Sequence, residues 1–143
     1  MCKASEYTIH GAQHHFGWDH SIPPVATVAP GSTIEFECQD SSAGQLSQDS
    51  TVEDVRNLDF SKINPVNGPI YVDRAEPGDV IKVTIDEFKP SGFGWTANIP
   101  GFGLLADQFD EPALHIWTYD KNSMMPAAYG PGGAQAGKLT GQG

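Results

Sequence analysis

The chain has 143 residues, a formal net charge of −10 and a pI near 4.6. This length suits one domain with a buried core, and the charge disfavours binding to nucleic acid or to an anionic membrane. The 16 glycines and 11 prolines interrupt the chain too often for long helices and predict many short strands. No signal peptide or membrane-length apolar run of roughly 20 residues is recognisable, and Cys2 and Cys38 do not make a disulfide framework. We therefore expect a soluble cytoplasmic protein.

Two segments led by Pro-Gly turns show the alternation of apolar and polar residues that is typical of strands. After Pro30-Gly31, alternate residues from Ile34 onward share one apolar face, and Cys38 is expected to pack there as a small apolar group. The pattern returns after Pro77-Gly78. Its predicted apolar face consists of Ile81, Val83 and Ile85.

A single short helix is predicted within Ser47 to Leu58, with Ser50 or Thr51 as its cap. Further strands are expected at residues 70–72 and 113–119. The segment 124–143 is rich in Gly, Ala and Pro without apolar periodicity, which predicts a disordered tail. The predicted fold is all-β: a sandwich of mostly antiparallel sheets with one short helix, in a domain of residues 1–123 followed by the tail 124–143.

Histidines and an aspartate crowd around Trp18, since His14, His15, Asp19 and His20 all lie within a few residues of it. On a straight strand, His15 and Asp19 would lie roughly 13 Å apart, too far to share one ion at bonds of ~2.0–2.2 Å. Only a bend at Gly17 would bring them together. Two interpretations of these histidines therefore remain. In one, a single histidine binds a metal ion together with ligands from distant parts of the chain; in the other, the histidines are only hydrogen-bonded or surface residues.

A polar loop, Asp40 to Asp49, follows the strand that ends near Cys38. A carboxylate such as Asp40 can bind a hard cation, act as a base toward water, or cap the loop through backbone N–H groups. Gln45 offers both a donor and an acceptor, which suits orientation of a small amide. The residues alone leave these alternatives open.

Several short signatures occur together between Asn64 and Asp107: Gly68-Pro69-Ile70, Glu76-Pro77-Gly78-Asp79 and Ile99-Pro100-Gly101-Phe102-Gly103. Upstream lie His15-x-x-Trp18 and Asp40-x-x-x-Gly44-Gln45. With these motifs the chain resembles the N-terminal portion of the acetamidase/formamidase family over roughly residues 10 to 120. Arg74 departs modestly from the pattern, because family members commonly have a smaller residue there.

The resemblance implies a β-sandwich hydrolase that cleaves short linear amides, such as formamide and acetamide, to a carboxylate and ammonia. It implies Asp40 as a catalytic residue, Gln45 and Trp18 as substrate-binding residues, and His15, Asp40 and Asp49 as ligands of a divalent metal ion, zinc or calcium. Because no serine or cysteine nucleophile signature is present, hydrolysis would require an activated water. The family's later acidic Gly-Asp-Gly-Glu-like motif is missing from the sequence, so the shortened chain is expected to be inactive alone.

Two other classes of protein remain as alternatives. One is a non-catalytic β-sandwich binding module. The other is a cupredoxin-like electron carrier, although a blue-copper site needs a late cluster of Cys, His and Met, whereas Cys38 comes early in this chain. We expect the chain to bind a small amide and to bind neither nucleic acid nor membrane. The sequence leaves open whether it forms a homo-oligomer.

Overall fold

The computed structural model of the protein describes residues 4–122 and the backbone of residues 125–126. The described residues form mostly short strands with a single short α-helix, as the abundance of glycine and proline predicts. They divide into two compact units. The described part of the first unit is residues 4–44 and 59–88, and that of the second is residues 45–58, 89–122 and 125–126.

The first unit contains three pairs of three-residue strands. Strand β1 pairs in parallel with β4, β2 pairs antiparallel with β5, and β3 pairs in parallel with β6. Buried Ile9 on β1 and Val28 on β3 provide core residues of this unit. The strands are Tyr7–Ile9 (β1), His14–Phe16 (β2), Ala26–Val28 (β3), Ile34–Phe36 (β4), Pro65–Asn67 (β5) and Ile70–Val72 (β6), and Phe60–Lys62 forms a 3₁₀ turn.

The second unit is built on an antiparallel sheet of three strands, β7 (Phe93–Asn98), β8 (Ala113–Asp120) and β9 (Met125–Pro126), in the order β7-β8-β9. Helix α1, Val52–Arg56, lies near β8, and buried Leu46 and Val55 provide core residues. The short helix was predicted correctly. Its carboxylate at Asp54 accepts hydrogen bonds from the N–H and the hydroxyl of Thr51, at 2.7 and 3.0 Å, which fixes the first turn.

The predicted sheets were mostly antiparallel, whereas the observed sheets mix both kinds of pairing. The pairs β1-β4 and β3-β6 are parallel, and the pairs β2-β5, β7-β8 and β8-β9 are antiparallel. A two-layer sandwich therefore remains a prediction. Both described helical segments, α1 with five residues and the 3₁₀ turn with three, are much too short to cross a bilayer. The predicted tail 124–143 lies outside the described residues, apart from the backbone of Met125–Pro126, which forms β9.

Two local expectations were wrong. Cys38 lies beyond the end of β4, which stops at Phe36, and it is exposed rather than packed in a core. The alternating segment after Gly78 forms no strand, and Ile81, Val83 and Ile85 are exposed. A strand requires a neighbour for its backbone N–H and C=O groups, and the described chain places none beside this segment.

Candidate functional site

The turn that leads into the histidine-bearing strand β2 is tied to the end of β4. The His10 ring nitrogen Nδ1 lies 3.0 Å from Glu37 Oε2, and the Gly11 N–H donates to the same oxygen at 3.2 Å. The Gln39 side-chain amide donates to the Gly11 carbonyl at 3.3 Å. The hydrogen bond from His10, followed by that from Gly11, lowers the pKa of the Glu37 carboxyl. These contacts fix the direction in which the chain enters β2.

The rings of His14 and His15 are each oriented by a backbone carbonyl. His14 Nδ1 lies 2.7 Å from the Gly11 oxygen, and His15 Nδ1 lies 2.8 Å from the Gly17 oxygen. A carbonyl oxygen only accepts, so Nδ1 carries the proton in both rings, and the lone pair of the neutral imidazole lies on Nε2. Metal-binding histidines are commonly held in this way, with the second nitrogen directed to a ligand. His15 is therefore chemically suited to the ligand role predicted for it.

The bend after β2 is present. Gly17 has φ +92°, a backbone conformation that favours glycine, and the strand ends at Phe16. Beyond it, the Asp19 carboxylate accepts a hydrogen bond from the Ser21 N–H at 2.8 Å. The pKa of Asp19 is lowered chiefly by that bond, then by the hydrogen bond from the Ser21 hydroxyl. Trp18 is 91% exposed. This residue, predicted to bind substrate, therefore stands on the surface of the first unit.

Asp40 holds the loop that follows β4. Its Oδ1 accepts hydrogen bonds from the N–H of Ser42, at 2.7 Å, and from the Ser42 hydroxyl, and its Oδ2 accepts one from the Gly44 N–H at 3.0 Å. Ser42 is fully buried, while Ala43 (φ +55°) and Gly44 (φ +79°) are both in the left-handed region. Of the three roles open to Asp40, loop capping is the one for which the structure provides contacts.

Backbone pairing connects the Asp40 loop to the strand opposite His15. The Asn64 N–H donates to the Ser41 carbonyl at 2.8 Å, and Val66, two residues further along, is the register partner of His15. His15 and Asp40 therefore lie on neighbouring segments of the first unit. Within residues 4–122, no three His, Cys, Asp or Glu side chains are arranged to hold a metal ion.

Gln45 and Asp49, the remaining predicted site residues, belong to the second unit. Gln45 is half-buried beside buried Leu46, and Asp49 is exposed, with its N–H donating to the Ser47 hydroxyl at 3.3 Å. The loop 99–107, which contains the Ile99-Pro100-Gly101-Phe102-Gly103 motif, also belongs to this unit. Its residues Phe102 and Leu104 are exposed.

The sequence did not indicate the contact between His10 and Glu37, or the Asn67 side-chain amide that donates to the Glu37 carbonyl at 3.2 Å. Glu37 was recognisable only as a polar residue on the alternating strand after Pro30-Gly31. Its partners lie at separations of 26 to 30 residues, so no local pattern could have identified them.

Comparison with known proteins gives a family match over most of the chain: the model of the Acetamidase/Formamidase family matches residues 3–128. A formamidase from Methylophilus methylotrophus is 35% identical over 113 residues, covering 75% of this chain and 28% of the relative. An acetamidase from Mycolicibacterium smegmatis is 34% identical over 118 residues, covering 73% of this chain and 29% of the relative. The match thus spans less than a third of the length of these relatives.

Solved structures agree with this match. A predicted acetamidase/formamidase from Thermoanaerobacter tengcongensis superimposes with a TM-score of 0.68 at 25% identity, over 80% of this chain and 37% of its own. A gamma lactamase from Delftia acidovorans gives 0.65 at 26% identity, over 80% of this chain and 32% of its own. Together with the family model over residues 3–128, they show that this chain belongs to the Acetamidase/Formamidase family.

Proposed function

We propose that this chain supplies part of a hydrolase that cleaves the C–N bond of short linear amides, such as formamide and acetamide, to a carboxylate and ammonia. The observation that carries the proposal is the family match over residues 3–128, together with relatives named formamidase and acetamidase at 34–35% identity. The match spans less than a third of those relatives, so the activity is proposed for the complete fold rather than for these 143 residues alone.

Within the first unit, His15 and Asp40 are the proposed site residues. The carbonyl of Gly17 holds the His15 ring at Nδ1, which leaves the Nε2 lone pair for a ligand or a proton. Asp40 is a loop carboxylate, a type of group that can accept hydrogen bonds within its loop and can also bind a cation. We propose Trp18 as an exposed apolar contact for substrate near this strand.

His15 and Asp40 are also the residues we propose to hold a divalent ion. An imidazole nitrogen beside a carboxylate suits zinc better than calcium, which prefers oxygen ligands. Such an ion would polarise the amide carbonyl or lower the pKa of a bound water. The roles of Gln45 in amide orientation and of Asp49 as a metal ligand remain separate predictions, because both residues lie in the second unit. We also propose that the complete protein is cytoplasmic and that its fold is a two-layer sandwich.

The test places this chain in a complete amidase. Residues 3–128 replace the matching part of the Methylophilus methylotrophus formamidase, and ammonia release from formamide and acetamide is measured with and without added zinc. We expect activity in this chimera, a reduction of at least about a hundredfold for His15→Ala, and little change for His20→Ala, whose residue is exposed nearby. The 143-residue chain alone is expected to show little or no turnover. A folded chimera without activity would contradict the proposal.

A further inference from the structure

Residues 80–88, here called the apolar segment, expose five large apolar side chains within nine residues of the first unit. Val80 is 95% exposed, Val83 79% and Phe88 69%, and Ile81 and Ile85 are also exposed. Soluble proteins normally scatter such residues singly over their surface, whereas a contiguous group marks an interaction site. The segment therefore needs a covering partner.

The backbone of the apolar segment also has no protein partner among the described residues. Between residues 80 and 88, no backbone N–H or C=O forms a hydrogen bond with any other described residue. The alternation of Ile81, Val83 and Ile85 is that of a strand with one apolar face. A neighbouring β-strand would satisfy the backbone and cover that face at the same time, whereas an apolar small molecule would satisfy only the second need.

The family match and the negative charge of the chain indicate which polypeptide would provide that strand. The segment lies within the matched residues 3–128, while the Methylophilus methylotrophus formamidase carries polypeptide far beyond the matched 28% of its length. A second copy of this chain is disfavoured, because the acidic residues Asp79, Asp86 and Glu87 outnumber Lys82 and Lys89 in and beside the segment, and each copy carries a net charge of −10.

We infer that the apolar segment is a docking strand for a β-strand from the portion of the amidase fold that lies outside this chain's matched region. Pairing would turn residues 80–88 into the strand that their alternation predicts and would remove their apolar side chains from water. This inference rests on family membership and not on the proposed amide hydrolysis. The docking strand is tested by binding and by hydrogen exchange, whereas the amide hydrolysis is tested by ammonia release. Either proposal can therefore fail while the other one stands.

The first experiment co-expresses the 143-residue chain, carrying an affinity tag, with the part of the Methylophilus methylotrophus formamidase outside the match. We expect the two polypeptides to copurify. Val83→Lys should reduce recovery of the partner at least about tenfold, because it places a charge on the apolar face. Thr84→Lys, the matched control, changes the neighbouring exposed position on the opposite face and should retain the partner.

A second measurement decides the matter if the separate partner polypeptide is insoluble. Amide hydrogen exchange of residues 80–88 is compared between the isolated chain and the formamidase chimera described above. We expect fast exchange in the chain at all concentrations and at least about tenfold slower exchange in the chimera. Equally fast exchange in the folded chimera would overturn the inference. So would protection of the isolated chain that increases with concentration, since it would identify a second copy as the partner.

Discussion

The His10 ring and the Glu37 carboxylate lie 3.0 Å apart, from Nδ1 to Oε2, and join the turn after β1 to the residue that follows β4. The two residues continue the parallel pairing of β1 and β4, in which Ile9 is the register partner of Phe36. The Glu37 N–H also donates to the Ile9 carbonyl at 3.0 Å. This contact therefore anchors the turn from which His14 and His15 extend.

The first prediction concerns the titration of Glu37. Its carboxyl should titrate below its ordinary value of 4.5, because the hydrogen bonds from His10 and Gly11 favour the charged form. Substitution of His10 by Ala removes the larger cause and should raise the pKa of Glu37 toward that value. Side-chain NMR titration measures the shift, and His20→Ala, which changes an exposed histidine outside this contact, should leave it unchanged.

The lowered pKa of Glu37 also determines how its contribution to folding stability changes with pH. Because the folded-state pKa of Glu37 is lowered, its contribution to stability is present above the unfolded-state pKa of 4.5 and disappears as the pH falls through the folded-state value. The difference in unfolding free energy between the native protein and His10→Ala should therefore shrink as the solution is acidified below pH ~4. A difference that grows on acidification would contradict this assignment.

The second prediction concerns Asp40. Asp40→Ala removes the acceptor for the N–H of buried Ser42 and for the Gly44 N–H, and should lower the free energy of unfolding by about 1–3 kcal/mol. Urea denaturation measures the loss. Asp86→Ala, at an exposed aspartate of the same unit without a hydrogen bond to the described chain, should cost less than about 0.5 kcal/mol. Equal losses in the two variants would show that the loop does not depend on Asp40.

The third prediction concerns Arg74, the position that departs from the family pattern. Its φ is +61°, a conformation that costs a residue with a Cβ about 1–2 kcal/mol and costs glycine little. Its exposed ion pair with Asp73, at 3.3 Å, contributes less than that. Arg74→Gly should therefore raise the free energy of unfolding by about 0.5–1 kcal/mol in urea denaturation. Arg56→Gly, at the last residue of helix α1, should instead lower it by up to about 1 kcal/mol.

The fourth prediction concerns the sheet of the second unit. The indole N–H of Trp117 on β8 donates to the Thr96 hydroxyl on β7 at 2.8 Å. Thr96→Val removes this acceptor with little change of shape, and should lower the free energy of unfolding by about 1 kcal/mol. The loss of unfolding free energy is measured by following tryptophan fluorescence during urea denaturation. Thr118→Val, at another exposed threonine of the same sheet, serves as the control, and a loss there of the same size would rule out a specific role for the hydrogen bond.

The sequence by itself determined the features that depend on local chemistry. Pro and Gly spacing predicted short strands, and Ser50 or Thr51 was predicted as the cap of the one α-helix among the described residues, which Thr51 is. The clustered motifs between Asn64 and Asp107, with those upstream, identified the family. Each of these depends on residues a few positions apart, whose effect on the backbone does not require knowledge of distant segments.

Only the tertiary structure decided which strands pair, and therefore where the site residues lie. The parallel pairing of β1 with β4, the contact of His10 with Glu37 and the link from Ser41 to Asn64 all join residues more than 20 positions apart. The alternation of Ile81, Val83 and Ile85 predicted a strand, yet these residues remain exposed. Periodicity can specify which face of a strand is apolar, but only a neighbouring backbone can satisfy its hydrogen bonds and bury that face.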